Sequence, residues 1–218
     1  MAQEVFYNLG RNGADTLRLI GPDDFEQGII RVKGWDRFQE VYRRGKGLMG
    51  LTAHLGNWEL LSAWLSWKGY KLTVVGRRLY DPRLDWLLVR YRKEWGERNV
   101  PVSQGAKRLL LALKRGEMVG VLADRGGKGV RRMPIPLFGR PILIPLGPFL
   151  LAKKVGSPLL PLFIHLEEDS SHLIEVGEVI EPEGDVTSLV GRWVKVLEGF
   201  IRSYPTHWAW MGANWAEG

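Results

Sequence analysis

The feature that most limits how this 218-residue chain can fold is an alternation of short apolar runs with helix-period segments. Residues 48–53, 72–75 and 118–123 are apolar runs of strand length, suited to strands covered on both faces. Between and around them, apolar residues recur at helical spacing: Trp58–Trp67, then Leu84, Leu88, Tyr91 and Trp95, then Ala106, Leu109, Leu110 and Leu113. Helical crossovers return the chain to the same end of a sheet. The pattern therefore predicts an α/β fold with a mixed, mainly parallel sheet flanked by helices on both faces. An amphipathic helix over 3–20, with Val5, Phe6, Leu9, Leu17 and Ile20 as its apolar members, a strand at 29–33 and a helix carrying Trp35, Phe38, Val41 and Tyr42 precede this core. A short segment at 99–102 lies within it. Residues 124–148, rich in glycine and proline, read as a long loop. A helix at 146–155, a strand pair at 158–166 and 172–179, and a last helix at 187–203 complete the chain, with no repeat or linker; one domain over 1–218 is expected.

Composition narrows the chemistry. There is no cysteine, which excludes disulfides, thiolate metal sites and a cysteine nucleophile. His54, His165, His172 and His207 do not sit at zinc-ligand spacings, so no metal is expected. The net charge of +7 favours a polyanionic partner, and ten tryptophans suit either a packed core or a bilayer interface. No nucleic-acid-binding signature accompanies the charge, so nucleic acid is not an expected partner. The N-terminus lacks a basic-then-apolar leader. The longest apolar stretch, 133–166, is interrupted by seven prolines and by Lys153-Lys154, so no membrane span is expected and any membrane contact is peripheral.

His54 closes the run 48–53, and Gly56-Asn57 can turn the chain into the helix that carries Glu59. On a continuous helix a spacing of five would set the two side chains about 140° apart. A strand-to-helix turn removes that obstacle, and Glu59 could then orient His54 as a general base. Spacing alone equally allows a core histidine and a surface glutamate. Arg77-Arg78 follow the strand 72–75 on the edge expected to carry His54, where they suit a phosphate or an oxyanion or form a solvated pair. Asp124 ends the strand 118–123 and either binds substrate or caps the loop. Lys128, Arg131 and Arg132 either face phosphate headgroups or are solvated. Gly45-Lys46-Gly47-Leu48-Met49-Gly50 matches G-x-G-x-x-G but precedes a strand, where the dinucleotide fingerprint must follow one. Nucleophile-elbow, Walker and H-E-x-x-H motifs are absent.

Taken in order, Val5-Phe6-Tyr7-Asn8, Gly45-Lys46-Gly47, Thr52-Ala53-His54-Leu55-Gly56-Asn57-Trp58-Glu59, Arg77, Asp81-Pro82-Arg83-Leu84-Asp85, Arg92, Asp124, Phe138-Gly139, Pro205, Trp208 and Trp210 resemble the lipid A biosynthesis acyltransferases of the lysophospholipid acyltransferase superfamily. That resemblance implies a glycerolipid-acyltransferase-like fold and an O-acyltransferase in lipid biosynthesis. It would move a fatty acyl group from an acyl carrier protein or coenzyme A thioester to a hydroxyl of a membrane lipid or glycolipid. His54 is the implied base, Glu59 orients it, and Arg77, Asp124, Phe138 and Gly139 bind substrate, with Arg78 a further substrate-binding candidate from its place beside Arg77. No tightly bound cofactor is implied, and the place of action is the cytoplasmic face of the cell membrane. A non-catalytic lipid-binding protein of the same fold is the alternative. The chain departs from the family by starting after its usual transmembrane helix. It also carries Arg125 where Gln or His is usual, and Met211-Gly212-Ala213-Asn214-Trp215 in place of a closing basic run.

Overall fold

The computed structural model describes residues 1–18, 21–76, 79–101, 105–127 and 129–216. Nine strands are found among them: β1 (Ile30–Lys33), β2 (Leu48–Thr52), β3 (Leu72–Gly76), β4 (Arg98–Pro101), β5 (Met118–Leu122), β6 (Arg132–Leu137), β7 (Arg140–Pro145), β8 (Leu159–Leu166) and β9 (His172–Val176). The helices are α1 (Ala2–Leu17), α2 (Pro22–Glu26), α3 (Trp35–Arg43), α4 (Trp58–Trp67), α5 (Pro82–Glu94), α6 (Gly105–Lys114), α7 (Gly147–Val155) and α8 (Val186–Ser203). Seven strands form one sheet in the order β1-β9-β8-β2-β5-β3-β4, in which β8 and β9 pair antiparallel and the other neighbours run parallel. The fold is the expected α/β arrangement.

Although the apolar runs look continuous, they divide between the faces with the period of two that a pleated strand imposes. Met49, Leu51 and Phe163 pack with Leu109, Phe149 and Trp193 beneath α6, α7 and α8. Leu48, Leu162 and Ile164 pack with Phe38, Leu61 and Trp64 beneath α3 and α4. Both layers are fully desolvated, with Phe38, Phe149, Phe163 and Trp193 all at 0% exposure. Most tryptophans are buried or half-buried, and Trp86 on α5 is the exception at 61% exposed.

Two expectations need correction. Residues 132–145 are not a loop but the antiparallel hairpin β6–β7. Proline is excluded from central strands because it lacks an N–H, but this is a two-stranded ribbon. Its prolines all occupy one parity of the register (Arg132↔Pro145, Pro134↔Leu143, Pro136↔Pro141), where no N–H is needed across the ribbon. Helix α1 does not bury an apolar stripe. Phe6 and Leu17 are exposed, whereas Asn12 and Asp15 are buried together with Val5. No helix of the described residues is long and apolar enough to cross a membrane.

Candidate active site

The register of β2 on β5 brings the site together. The strands pair from Leu48↔Met118 to Thr52↔Leu122, a constant offset that carries His54 alongside Asp124 just past the strand ends. The Asp124 carboxylate, fully buried, accepts from the His54 backbone N–H at 3.1 Å, and its Oδ1 lies 2.8 Å from His54 Nδ1. Trp208 Nε1 donates to Oδ2 at 3.0 Å. Burial would push this carboxyl up, but the hydrogen bonds from His54 and Trp208 and the nearby charge of Arg125 outweigh it and hold Asp124 below the usual aspartate range. With Nδ1 donating to the carboxylate, Nε2 is left as the proton acceptor of a side chain that is 23% exposed and lines the neighbouring cleft.

A tight turn makes room for this pair. Gly56 has φ +62°, and a Cβ there would lie 1.7 Å from the carbonyl oxygen of Ile164, so only glycine fits. Asn57 caps α4, accepting from Leu60 N–H through Oδ1, and its Nδ2 donates to the Asn12 carbonyl, which fastens α1 to the turn. From the other side, the C-terminal segment closes on the same residues. Leu55 bridges Trp208, and Ala209 N–H donates to the His54 carbonyl.

Glu59 does not touch His54 in this arrangement. As the second residue of α4 it turns toward α5, where Arg92 Nη2 and Nε donate to its two oxygens at 2.6 and 2.9 Å and Trp58 Nε1 donates at 3.1 Å. The carboxylate on His54 is thus Asp124, and the orienting contact expected of Glu59 is corrected accordingly. Burial works against the charge on Arg92, but Glu59 more than offsets it and raises the guanidinium above its usual value. Beside this pair sits Glu97, whose Oε1 accepts from Ser62 Oγ at 2.9 Å. Burial and the Glu59 charge push the Glu97 carboxyl up to about 8.

His54, Glu59, Arg92 and Arg125 line one cleft of about 940 Å³. Its mouth is apolar: Leu17 of α1, Leu79 ahead of α5 and Leu84 of α5 line it while remaining 54%, 43% and 47% exposed. Trp58, Glu59, Val75, Arg92 and Leu122 are shared with a second, smaller cavity of about 60 Å³ that runs beneath α4 to Gly50, Leu65 and Met118. Arg77, Arg78 and Lys128 lie outside the described residues. Phe138 and Gly139 form the β6–β7 turn and do not line the cleft. Phe138 stacks on Trp210, lies beneath the Arg202 guanidinium, and donates its N–H to Glu198. Sequence reasoning left Arg92, Trp208 and Arg125 without a role. Among the described residues no group of three or more His, Asp or Glu side chains is placed to hold a metal.

The sequence profile of the bacterial lipid A biosynthesis acyltransferases matches residues 1–217. The chain is 27% identical over 186 residues to the phosphatidylinositol mannoside acyltransferase of Mycolicibacterium smegmatis, covering 83% of this chain and 60% of that protein. Its likeness to the enzyme of the same name from Mycobacterium tuberculosis is 25% over 190 residues, covering 84% and 59%. This chain therefore spans about six-tenths of the length of these relatives. The crystal structure of the 1-acyl-sn-glycerophosphate (LPA) acyltransferase PlsC from Thermotoga maritima aligns over 95% of both chains, with a TM-score of 0.45 and 14% identity.

Proposed function

Because the chain belongs to the bacterial lipid A biosynthesis acyltransferase family, we propose that it transfers a fatty acyl group from a thioester to a hydroxyl of a membrane lipid or glycolipid. The observation that carries this reading is the His54–Asp124 pair, at 2.8 Å and with Nε2 free in an apolar-mouthed cleft. His54 Nε2 takes the proton of the attacking hydroxyl. Asp124 holds the productive tautomer and balances the imidazolium as it forms. Glu59 acts at one remove, fixing Arg92 in the wall between the cleft and the small apolar cavity, and the cleft accepts the acyl chain. Coenzyme A or acyl carrier protein delivers the thioester. The exposed Leu17, Leu79, Leu84 and Trp86 rest the mouth of the cleft on the cytoplasmic face of the membrane, as interfacial apolar and aromatic side chains do. The names of the mycobacterial relatives support a glycolipid acceptor.

Incubating the protein with labelled palmitoyl-CoA and bacterial membranes, followed by mass spectrometry of the lipids, tests the proposal. Label is expected on a lipid product with the wild-type protein and not with His54→Ala, whose melting temperature stays that of the wild type. Equal transfer by His54→Ala would refute the mechanism. Vesicle binding by the wild-type protein without turnover of any donor would favour the catalytically silent alternative.

A further inference from the structure

Arg125 and Gly212, 87 positions apart in the chain, touch each other in the structure. Arg125 follows Asp124, and its side chain lines the cleft that contains His54. Its Nη2 donates to the Ala209 carbonyl at 2.9 Å. Its guanidinium lies against Gly212, where a Cβ would stand 1.5 Å from Nη1 and 2.6 Å from Cζ. A residue with any side chain at 212 would have to displace the guanidinium. Arg125 Nε is buried without a hydrogen bond, 3.6 Å from Asp124 Oδ2.

The cleft holds two guanidinium groups among the described residues, and they differ in what they have to spare. Arg92 is neutralised by Glu59, to which it donates two hydrogen bonds, and it also donates to Asn99. Arg125 forms only an ion pair with Asp124, at 3.6 Å and without a hydrogen bond, because both oxygens of Asp124 are taken by His54 and Trp208. Its Nη1 makes no hydrogen bond with the described residues. A cation anchored by backbone that still lines the cleft, with 21% of its side chain exposed, is preorganised to meet negative charge as it develops. It is also tied to the carboxylate that orients the base, which sets its place relative to the reacting centre and not to the rim.

Resting on the acyl-transfer reading above, we propose that Arg125 is a catalytic residue that stabilises the oxyanion of the tetrahedral intermediate. The acceptor oxygen bonds to the thioester carbonyl carbon while His54 Nε2 takes the hydroxyl proton. The carbonyl π pair moves onto oxygen, and Arg125 donates an N–H to it. Collapse re-forms the carbonyl, breaks the C–S bond and releases the thiolate, which recovers the proton from His54.

Steady-state kinetics with palmitoyl-CoA and binding of hexadecylphosphonate, a tetrahedral anion on an alkyl chain, test the assignment. Arg125→Gln is expected to lower kcat by about 10²–10³-fold with little change in KM for palmitoyl-CoA, and to weaken hexadecylphosphonate binding by a similar factor. Arg125→Lys should recover part of both. Gly212→Ala, which keeps the guanidinium but shifts it, should lower both. Wild-type kcat in Arg125→Gln, a loss confined to KM, or lost turnover with intact phosphonate affinity would each overturn the proposal. A wild-type protein that neither turns over palmitoyl-CoA nor binds hexadecylphosphonate would instead overturn the acyl-transfer reading itself.

Discussion

Asparagine at position 124 would alter one atom's hydrogen-bonding character in a group that sees no solvent. Asp124 Oδ2 accepts from two donors, the His54 backbone and Trp208 Nε1, while Oδ1 faces the single nitrogen Nδ1 of His54. An amide has one acceptor oxygen. Placing its NH₂ at the Oδ2 position would oppose two donors that cannot change, whereas placing it at Oδ1 opposes an imidazole that can shift its proton. The second arrangement wins. Nδ1 then accepts, the proton moves to Nε2, and the nitrogen that should take the hydroxyl proton is already occupied. The imidazolium of the transition state also loses its counter-charge. The corresponding substitution in a hydrolase triad lowers kcat about 10⁴-fold, so Asp124→Asn is expected to lose about 10³–10⁴-fold here, roughly 4–5.5 kcal/mol at about 1.36 kcal/mol per decade. The measurement is kcat for palmitoyl transfer between about pH 6 and 9 together with the melting temperature. A folded Asp124→Asn protein retaining kcat within about tenfold of wild type would refute the reasoning.

Glu59→Gln should act on stability first. It strands Arg92, whose side chain is 11% exposed, beside a neutral amide, and a broken buried pair costs about 3–5 kcal/mol. Urea unfolding checks this, and unchanged stability combined with a kcat loss equal to that of Asp124→Asn would show that Glu59 serves His54 after all. Glu97 sets a slope with pH. Its folded carboxyl is pushed up to about 8 from an ordinary value of 4.5, so the folded state binds more protons than the unfolded one between those values, and stability falls as pH rises through that window. Glu97→Gln should flatten a decline of a few kcal/mol in denaturant titrations at about pH 5 and 8.5, and a decline of unchanged steepness in the variant would exclude Glu97 as its source.

The sheet was legible because β2, β3 and β5 are apolar runs bounded by turns, and His54 was legible because it ends one of them. The partner of His54 was not, because spacing along the chain favours the nearer carboxylate. Glu59 is five residues away but faces Arg92 on α5, whereas Asp124 is distant in sequence and adjacent in register. A signal was present, since 48–53 and 118–123 are apolar runs of equal length, each followed by a polar residue. Two such strands paired in parallel from their first residues bring His54 and Asp124 side by side. The hairpin β6–β7 was hidden by its prolines, which argue against a strand until their common parity is noticed. Trp208 and Gly212 could not be placed at all, since nothing local foretells that a C-terminal segment returns to the strand ends.

Those same prolines have a further effect on how the molecule behaves in company. A two-stranded ribbon ordinarily offers two open rims on which another chain can add a strand. Along β7 the rim is taken by the protein's own C-terminal segment, with Leu143 N–H donating to Asn214 and Ala216 N–H to Pro141. Along β6 the outward positions include Pro134 and Pro136, which have no N–H to offer. This ribbon thus presents neither rim for intermolecular sheet growth.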